Sequence, residues 1–292
     1  MNEFEQSIID MVEELFNLTD KDHREILRMY KQSRDNIRQF IADLYMKFGH
    51  DGKLDMTELN KYGRLQKLEE QIQEELKQLT RNEVITMGII LSGIVAVTYY
   101  KSAYNIEKSF GVGIKFNLLK KEFIDEIVNR NWSGTMFSER VWDNVNALAK
   151  NLKGELYRGI MEGESIDKMA RRINKQFNSK SYQSQRLIRT ESARVISDAQ
   201  EKIYNDSGVV QYVQYLSVLD NVTSDVCRSR DGKRWKVDDP SKPKIPAHPN
   251  CRSTWFPVIS DDYKPKKRKD SETKEIIEYK NYDEWYKAKV KK

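Results

Sequence analysis

The C-terminal third of the chain contains the residue types that bind metals or act as nucleophiles. Both cysteines of the protein, Cys227 and Cys251, lie here with one of its three histidines, His248. His-x-x-Cys spacing can place two ligands on one zinc ion, and Cys227 can supply a third. A structural zinc site normally has four protein ligands, however, and the sequence has no further cysteine. We therefore expect no cofactor and leave zinc as an open alternative.

Three other arrangements of these residues are compatible with the sequence. One is a disulfide between Cys227 and Cys251, although thiols in a cytoplasm stay reduced. Another is a thiol–imidazole or metal site in a nuclease or toxin-type enzyme. His248, however, lies in a Pro-Ala-His-Pro segment typical of a turn, and the other histidines, His23 and His50, are distant in sequence. We favour the third arrangement, packed thiols with a hydrogen-bonded imidazole, and predict no catalytic residue.

Helices must position most of the chain, because no proline precedes residue 240 and apolar residues recur every three or four positions. Gly208 is expected to end the last of these helices in the left-handed conformation. The pattern predicts helices at residues 2–48, 117–130, 138–161 and 182–206. Thr19 or Asp20 is expected to cap a second helix inside the first range. A further helix is expected to start at Asp55 or Thr57, and Ser165 is expected to cap a short one.

The pattern changes after Gly208. Residues 209–218 are rich in β-branched and aromatic side chains and predict a strand with alternating faces. Residues 234–237 and 254–258 predict two further short strands. The sequence thus predicts a mainly α protein with a small β-rich C-terminal unit (α+β) and an elongated helical N-terminal region.

Residues 84–100 form an uncharged stretch of seventeen residues, which is the short limit for a membrane-spanning helix. Polar and glycine residues dilute this stretch, so we favour a helix buried in a core or an oligomeric contact, and no membrane partner. A membrane-active DNA-ejection protein that uses residues 84–100 stays an alternative.

The charge balance gives a mild preference for polyanionic partners. The net charge is +6 and the isoelectric point is near 9.0, which favours non-specific contact with double-stranded DNA. The chain opens on an acidic segment without the features of a signal peptide, so we expect it in a cytoplasm. The expected DNA-contact residues form one dense basic run: Lys264, Lys266, Lys267, Arg268 and Lys269.

An Arg-Thr-Glu element, Arg189-Thr190-Glu191, lies on the predicted helix 182–206, with Arg186 and Arg194 one turn away on either side. Glu191 and Arg194 can pair at i,i+3 spacing. This face can hold a phosphate or an acidic protein surface. We favour a polar network that docks the β-rich unit onto the helix.

These motifs, in this order, resemble the phage head morphogenesis family, the minor head proteins typified by the F protein of phage Mu and gene product 7 of phage SPP1. The resemblance covers roughly residues 140–259. It rests on five short segments: Ser165–Ile173, Arg189–Glu191, Gly208-Val209, Cys227–Lys233 and His248–Ser253. Its structural motif residues here are Arg189, Thr190, Glu191, Cys227, Asp231, Gly232, His248, Pro249, Asn250, Cys251 and Arg252.

The sequence pattern and the resemblance together predict three domains, and the resemblance implies a role in assembly. Residues 1–139 would form a helical region, 140–259 the Mu F-like domain and 260–292 a basic tail. The protein would bind the portal protein, and other head or scaffolding proteins, during procapsid assembly and would affect DNA packaging or ejection. We expect it in the virion, inside the head near the portal vertex, and in the host cytoplasm during assembly.

Overall fold

The computed structural model describes residues 3–111, 113–217, 223–259, 286–288 and 290. The basic run 264–269 and most of the tail lie outside these residues. The helices and strands are α1 (Glu3–Phe48), α2 (Met56–Lys61), α3 (Arg64–Phe110), α4 (Lys121–Val128), α5 (Phe137–Met161), α6 (Ile166–Ser207), β1 (Tyr212–Leu216), α7 (Asp225–Arg230), β2 (Arg234–Lys236) and β3 (Thr254–Val258). The predicted class, mainly α with a small β-rich unit, is confirmed.

The N-terminal helix is longer than predicted. The sequence predicted a break near Thr19 or Asp20, but α1 is continuous from Glu3 to Phe48. The Thr19 hydroxyl donates to the carbonyl of Leu15 one turn back, which is compatible with a helix interior. Asp20 accepts two hydrogen bonds from Arg189. Neither side chain caps a helix, so the expected second helix start is wrong.

The helix that carries the Arg-Thr-Glu element also has no break. The sequence predicted a short helix after Ser165 and a separate helix at 182–206, whereas α6 runs from Ile166 to Ser207. Buried positions continue through the polar middle of the helix at Ile173, Phe177, Ser184 and Ile188. Since this spacing keeps one face buried and no glycine or proline intervenes, the helix persists.

The sheet contains three antiparallel strands in the order β2-β1-β3. Gly208 has φ of 65° and ends α6 as predicted, and β1 follows it. In β1, Val213 and Tyr215 point into the core while Tyr212 is exposed. β1 pairs with β3 over its whole length, from Tyr212 opposite Val258 to Leu216 opposite Thr254. The three predicted strands are therefore present, β1 and β2 with slightly shorter bounds and β3 with the predicted ones.

The chain divides into two compact units, to each of which α1, α3 and α6 contribute a segment. The first unit draws on Met1–Asp20, Ile89–Arg130 and Arg189–Lys292, and the second on Lys21–Gly88 and Asn131–Ile188. These units group residues that contact one another, and each combines several separate stretches of the chain. The division into consecutive domains at residues 139 and 259 stays a prediction.

The first unit contains the sheet and its core. β3 packs on α6: the ring nitrogen of Trp255 donates to the Ser197 hydroxyl at 3.1 Å, and Thr254 donates to Gln200 at 2.8 Å. The Tyr204 hydroxyl donates to the Trp255 carbonyl at 3.1 Å. Trp255 has no exposed surface, so these bonds fix the register of the sheet on the helix.

The second unit is helical and buries a carboxylate. Glu83 on α3 accepts hydrogen bonds from the hydroxyls of Tyr30 and Ser184. Burial raises the pKa of Glu83 to about 7, although these two hydrogen bonds act to lower it. The Tyr30 hydroxyl also accepts from the Asn144 amide at 3.1 Å. A polar cluster thus lies inside a core of apolar helix faces.

One helix, Arg64–Phe110, is long and apolar enough to cross a membrane by length and composition. Its most apolar 18-residue window has a mean hydropathy of 1.6, and half of that window is buried inside the protein. A core helix of a soluble protein has the same properties, so the finding does not distinguish the two expectations for residues 84–100.

Candidate functional site

The first cysteine lies on a short helix that the sequence analysis missed. α7 begins after Ser224, whose hydroxyl accepts a hydrogen bond from the amide of Cys227 at 3.3 Å. A serine followed by an acidic residue is a typical helix start, and this signal was available in the sequence. The helix places the Cys227 side chain in the core, where only 1% of it is exposed.

The second cysteine ends a tight turn. The amide of Cys251 donates to the carbonyl of His248 at 3.2 Å. Pro249 and Asn250 occupy the two central positions, and Asn250 has φ of 59°. Proline followed by a residue of positive φ is the pattern of a type II turn, and asparagine tolerates this conformation better than most residues. The predicted turn at His-Pro-Asn-Cys is therefore present, and Arg252 follows it, partly exposed.

α7 and this turn bring the three candidate ligands together. The Cys227 and Cys251 sulfurs are 3.8 Å apart, and the Cys227 sulfur is 3.2 Å from Nε2 of His248. All three ligand atoms lie within 4.8 Å of one another. The expectation that the two cysteines lie close together is confirmed, and both are free thiols in the structure.

The two thiols differ electrostatically. Burial acts to raise the pKa of Cys227, but hydrogen bonds from side chains that include Ser224, Ser253 and Tyr215 outweigh it and lower the pKa to about 6. Burial raises the pKa of Cys251, and the neighbouring Cys227 adds to that rise. The pair therefore favours one thiolate on Cys227 beside one neutral thiol.

The imidazole of His248 has a defined orientation. Its Nδ1 lies 2.9 Å from the carbonyl oxygen of Pro249. A carbonyl can only accept, so Nδ1 carries a hydrogen, and Nε2 faces the Cys227 sulfur at 3.2 Å.

The Asp-Gly pair connects α7 to the sheet. The carboxylate of Asp231 accepts from the amide of Ser217 at 2.7 Å, and the amide of Gly232 donates to the carbonyl of Tyr215 at 2.9 Å. Gly232 has φ of 75°, a conformation that favours glycine. These contacts fix the end of α7 against β1.

Each residue of the Arg-Thr-Glu element has a separate contact. Arg189 binds both carboxylate oxygens of Asp20 on α1, at 2.8 and 2.9 Å. The hydroxyl of Thr190 accepts from the amide of Asn250 at 3.1 Å. Glu191 accepts from Arg194 at 2.7 Å. Thr190 thus ties α6 to the turn that carries His248 and Cys251, and Arg186 is exposed on the same helix.

Arg194 has a second role that the sequence analysis did not identify. Its guanidinium donates to the carbonyls of Ile127 and Val128, at 2.7 and 3.0 Å, where α4 ends. The Glu191 and Arg194 side chains are 0% and 2% exposed. No local sequence signal links Arg194 to residues 127–128, because the contact forms only after the fold brings them together.

Two more residues complete the surroundings of the cysteines. The Tyr215 hydroxyl lies 3.4 Å from the Cys227 sulfur, and burial, with that hydrogen bond, raises the pKa of Tyr215 so that the hydroxyl stays neutral. Ser253 is buried with its hydroxyl 3.3 Å from that of Ser217. The alternation of β1 predicts that Tyr215 points inward, but its partner could not be read from that pattern.

Comparison with known proteins identifies relatives of the chain. The family model described as Phage Mu protein F like protein matches residues 150–256, a range that includes the Arg-Thr-Glu element, both cysteines and His248. Minor head protein GP7 of Bacillus phage SPP1 is 23% identical over 297 residues, which cover 94% of this chain and 95% of that protein.

A second relative carries a different name. The NAD(+)–arginine ADP-ribosyltransferase EFV of Enterococcus faecalis is 30% identical over 210 residues, or 66% of this chain. The matched region spans only 42% of that relative's length. No solved structure matches the chain. The family model on the site residues and a head protein matched from end to end support the resemblance to the phage head morphogenesis family that the sequence motifs indicate.

Proposed function

We propose that this protein is a minor head protein of a tailed phage or prophage that binds the portal during procapsid assembly and affects DNA packaging or ejection. The similarity to the SPP1 minor head protein carries the proposal, because it extends over 94% of this chain and 95% of that protein. Similarity over such a length includes the N-terminal helices as well as the C-terminal motifs.

The contacts of the motif residues support a role in binding. Thr190 and Asp231, with Arg194 as the partner of Glu191, make hydrogen bonds that join α6, the turn at 248–251, β1 and the end of α4. Each of these contacts has a structural effect, and none requires a substrate. A domain held together by such hydrogen bonds suits a protein that acts by association with other head proteins.

We further propose that the protein resides in the virion, inside the head near the portal vertex, and reaches it from the host cytoplasm. A net charge of +6 suits a compartment filled with DNA, because cationic surfaces bind phosphates without sequence preference. The basic run 264–269 is the proposed contact, and it lies outside the described residues.

Co-purification with the portal protein tests the proposal. Tagged portal protein from the same prophage would be co-expressed with this chain, and the eluate analysed by size exclusion. We expect the two to elute together, whereas the portal protein of an unrelated phage should retain none. A chain that is folded by circular dichroism but never associates with its own portal would contradict portal binding.

Particles from an induced prophage test the location. Mass spectrometry of purified, DNA-filled particles should detect the protein, and deletion of its gene should lower DNA content per head or the fraction of particles that eject. Detection in the lysate but not in particles would contradict residence in the virion.

An enzymatic role is the second candidate, because the ADP-ribosyltransferase relative shares 30% identity with two thirds of this chain. The chain spans less than half of that relative, so an activity located in the rest of that protein would not extend to this one. Transfer of ADP-ribose from NAD⁺ to arginine side chains of an added protein, with release of nicotinamide, would establish the activity. Cleavage of DNA with divalent metals, lost in His248→Ala, would instead establish a nuclease.

A further inference from the structure

We propose that Cys227, His248 and Cys251 bind one Zn²⁺ ion through two thiolates and one imidazole nitrogen, and that this ion fastens the C-terminal β-rich unit. The sequence leaves zinc open because it offers three soft ligands instead of four. The structure adds that the three ligand atoms converge on one point from two separate segments, α7 and the turn at 248–251.

The distances agree with a shared metal. In a tetrahedral site, zinc–sulfur bonds of about 2.3 Å place two sulfurs about 3.8 Å apart, and a sulfur and a nitrogen about 3.5 Å apart. The observed sulfur–sulfur distance is 3.8 Å, and Cys227 Sγ to His248 Nε2 is 3.2 Å. The third pair, Cys251 Sγ and His248 Nε2, lies within 4.8 Å and would approach to about 3.5 Å when the ion binds. A disulfide, by contrast, needs sulfurs about 2.05 Å apart.

The imidazole already has the orientation of a metal ligand. Histidines that bind zinc usually donate their other ring hydrogen to a carboxylate or backbone carbonyl, which fixes the tautomer. Here Nδ1 donates to the Pro249 carbonyl at 2.9 Å, and Nε2 faces Cys227. The type II turn thus fixes the ring without any contribution from a metal.

The surroundings of the sulfurs also suit a metal. The Tyr215 hydroxyl, 3.4 Å from the Cys227 sulfur, can donate a hydrogen bond to a zinc-bound thiolate. Two thiolates balance the charge of Zn²⁺, so the ion and its two buried sulfurs together would carry no net charge in the core. His248 is partly exposed, which leaves the fourth position to a water molecule.

The ion would have a structural task. Between β2 and β3, residues 237–253 contain no helix and no strand, so few backbone hydrogen bonds hold this segment. A metal shared by Cys227 and Cys251 would attach it to α7. Metal binding of this kind contributes directly to folding stability.

Metal analysis of the full chain tests the proposal. The protein would be purified without a histidine tag from cells grown with added zinc, and its zinc measured by inorganic mass spectrometry. We expect one zinc per chain. In Cys227→Ser, Cys251→Ser and His248→Ala, bound zinc should fall at least about ten-fold. The matched control is His50→Ala, which removes an exposed histidine of the other unit and should leave zinc unchanged.

Cobalt binding to the wild-type protein tests the same site without any variant, so it is informative even if a ligand variant does not fold. Co²⁺ added to metal-free wild-type protein should give the visible absorption of a tetrahedral site and a sulfur-to-cobalt charge-transfer band, and zinc should displace both. Chelation should also lower the melting temperature of the wild type. The proposal is overturned by wild-type protein that binds neither metal, by zinc retained in the cysteine variants, or by a mass lower by two hydrogens, which would show a disulfide.

Discussion

The hydroxyl of Thr190 accepts a hydrogen bond from the backbone amide of Asn250 at 3.1 Å. Asn250 is the left-handed residue of the turn that carries His248 and Cys251. Thr190, the middle residue of the Arg-Thr-Glu element, therefore holds the His-Pro-Asn-Cys turn in place, sixty positions further along the chain.

Removal of this acceptor should destabilise the protein. Thr190→Val keeps the shape of the side chain but leaves the Asn250 amide without its partner in a partly buried position. We expect a loss of about 1–3 kcal/mol in the free energy of unfolding, measured by urea denaturation. Thr190→Ser keeps the hydroxyl and should lose less. Equal losses in the two variants would show that the hydrogen bond is not responsible.

Substitution of Arg194, whose guanidinium is buried, should destabilise the protein more than substitution of Thr190. Arg194→Met removes the partner of Glu191, whose side chain has no exposed surface, and two hydrogen bonds to the end of α4. Removal of one partner of a buried ion pair costs about 3–5 kcal/mol. The double variant Glu191→Leu/Arg194→Met should lose less than Arg194→Met alone, because it also removes the fully buried carboxylate of Glu191.

Arg171→Met provides the control for Arg194, since Arg171 is exposed on the same helix. We expect a change within about 0.5 kcal/mol. A similar loss in both arginine variants, measured by the same denaturation curves, would contradict a special role for Arg194.

Local signals in the sequence predicted the ends of elements better than their continuity. Gly208 ends α6, and Asp55 caps α2 by accepting from the Glu58 amide, both as predicted. Thr19 and Asp20 have the residue types of caps, yet the fold gives them other partners. A side chain that can cap a helix can equally serve inside one, and only tertiary contacts decide.

The sequence predicted that the two cysteines and His248 lie close together. It did not predict which residues hold them in place. The His-Pro-Asn-Cys sequence encodes its own turn, and Cys227 was expected nearby. The contacts of Tyr215 with Cys227, and of Thr190 with Asn250, join residues 12 and 60 positions apart. Such pairs depend on the docking of β1 and α6, for which a single sequence carries no local signal.

The buried carboxylate of Glu83 should make stability depend on pH. Burial raises its pKa from the ordinary value of 4.5 to about 7. Between these values the folded protein binds more protons than the unfolded chain, so the stabilising effect is complete below about pH 4.5 and is lost as pH rises through 7. The loss is on the order of 3 kcal/mol.

Glu83→Gln isolates this contribution. Position 83 cannot ionise in the variant, so its stability relative to the wild type should increase as pH rises from about 4.5 to about 7, the interval between the unfolded and folded pKa values of Glu83. Urea denaturation across this range measures the difference. Glu74→Gln controls for the loss of a negative charge, because Glu74 is exposed on the same helix. A constant difference between Glu83→Gln and wild type at all pH values would contradict the predicted shift.

Any DNA binding should be non-specific and depend on the basic run. Five positive charges lie among the six residues 264–269, and phosphate neutralisation releases counterions, so affinity should fall steeply with salt. Truncation after Asp262 should remove most binding to duplex DNA in a filter or anisotropy assay, while association with the portal protein persists.

A charge-matched pair of variants decides whether position or net charge matters. In the first, Lys264, Lys266, Lys267, Arg268 and Lys269 are changed to glutamine. In the second, five exposed basic residues of α1 are changed instead: Lys21, Arg24, Arg28, Lys31 and Lys47. Both variants have the same net charge, so a general electrostatic attraction would weaken equally in each. We expect the first variant to lose most of its affinity and its salt dependence, and the second to retain both. Equal losses would assign the binding to overall charge, and a strong preference for one duplex sequence would show base recognition that phosphate contacts cannot provide.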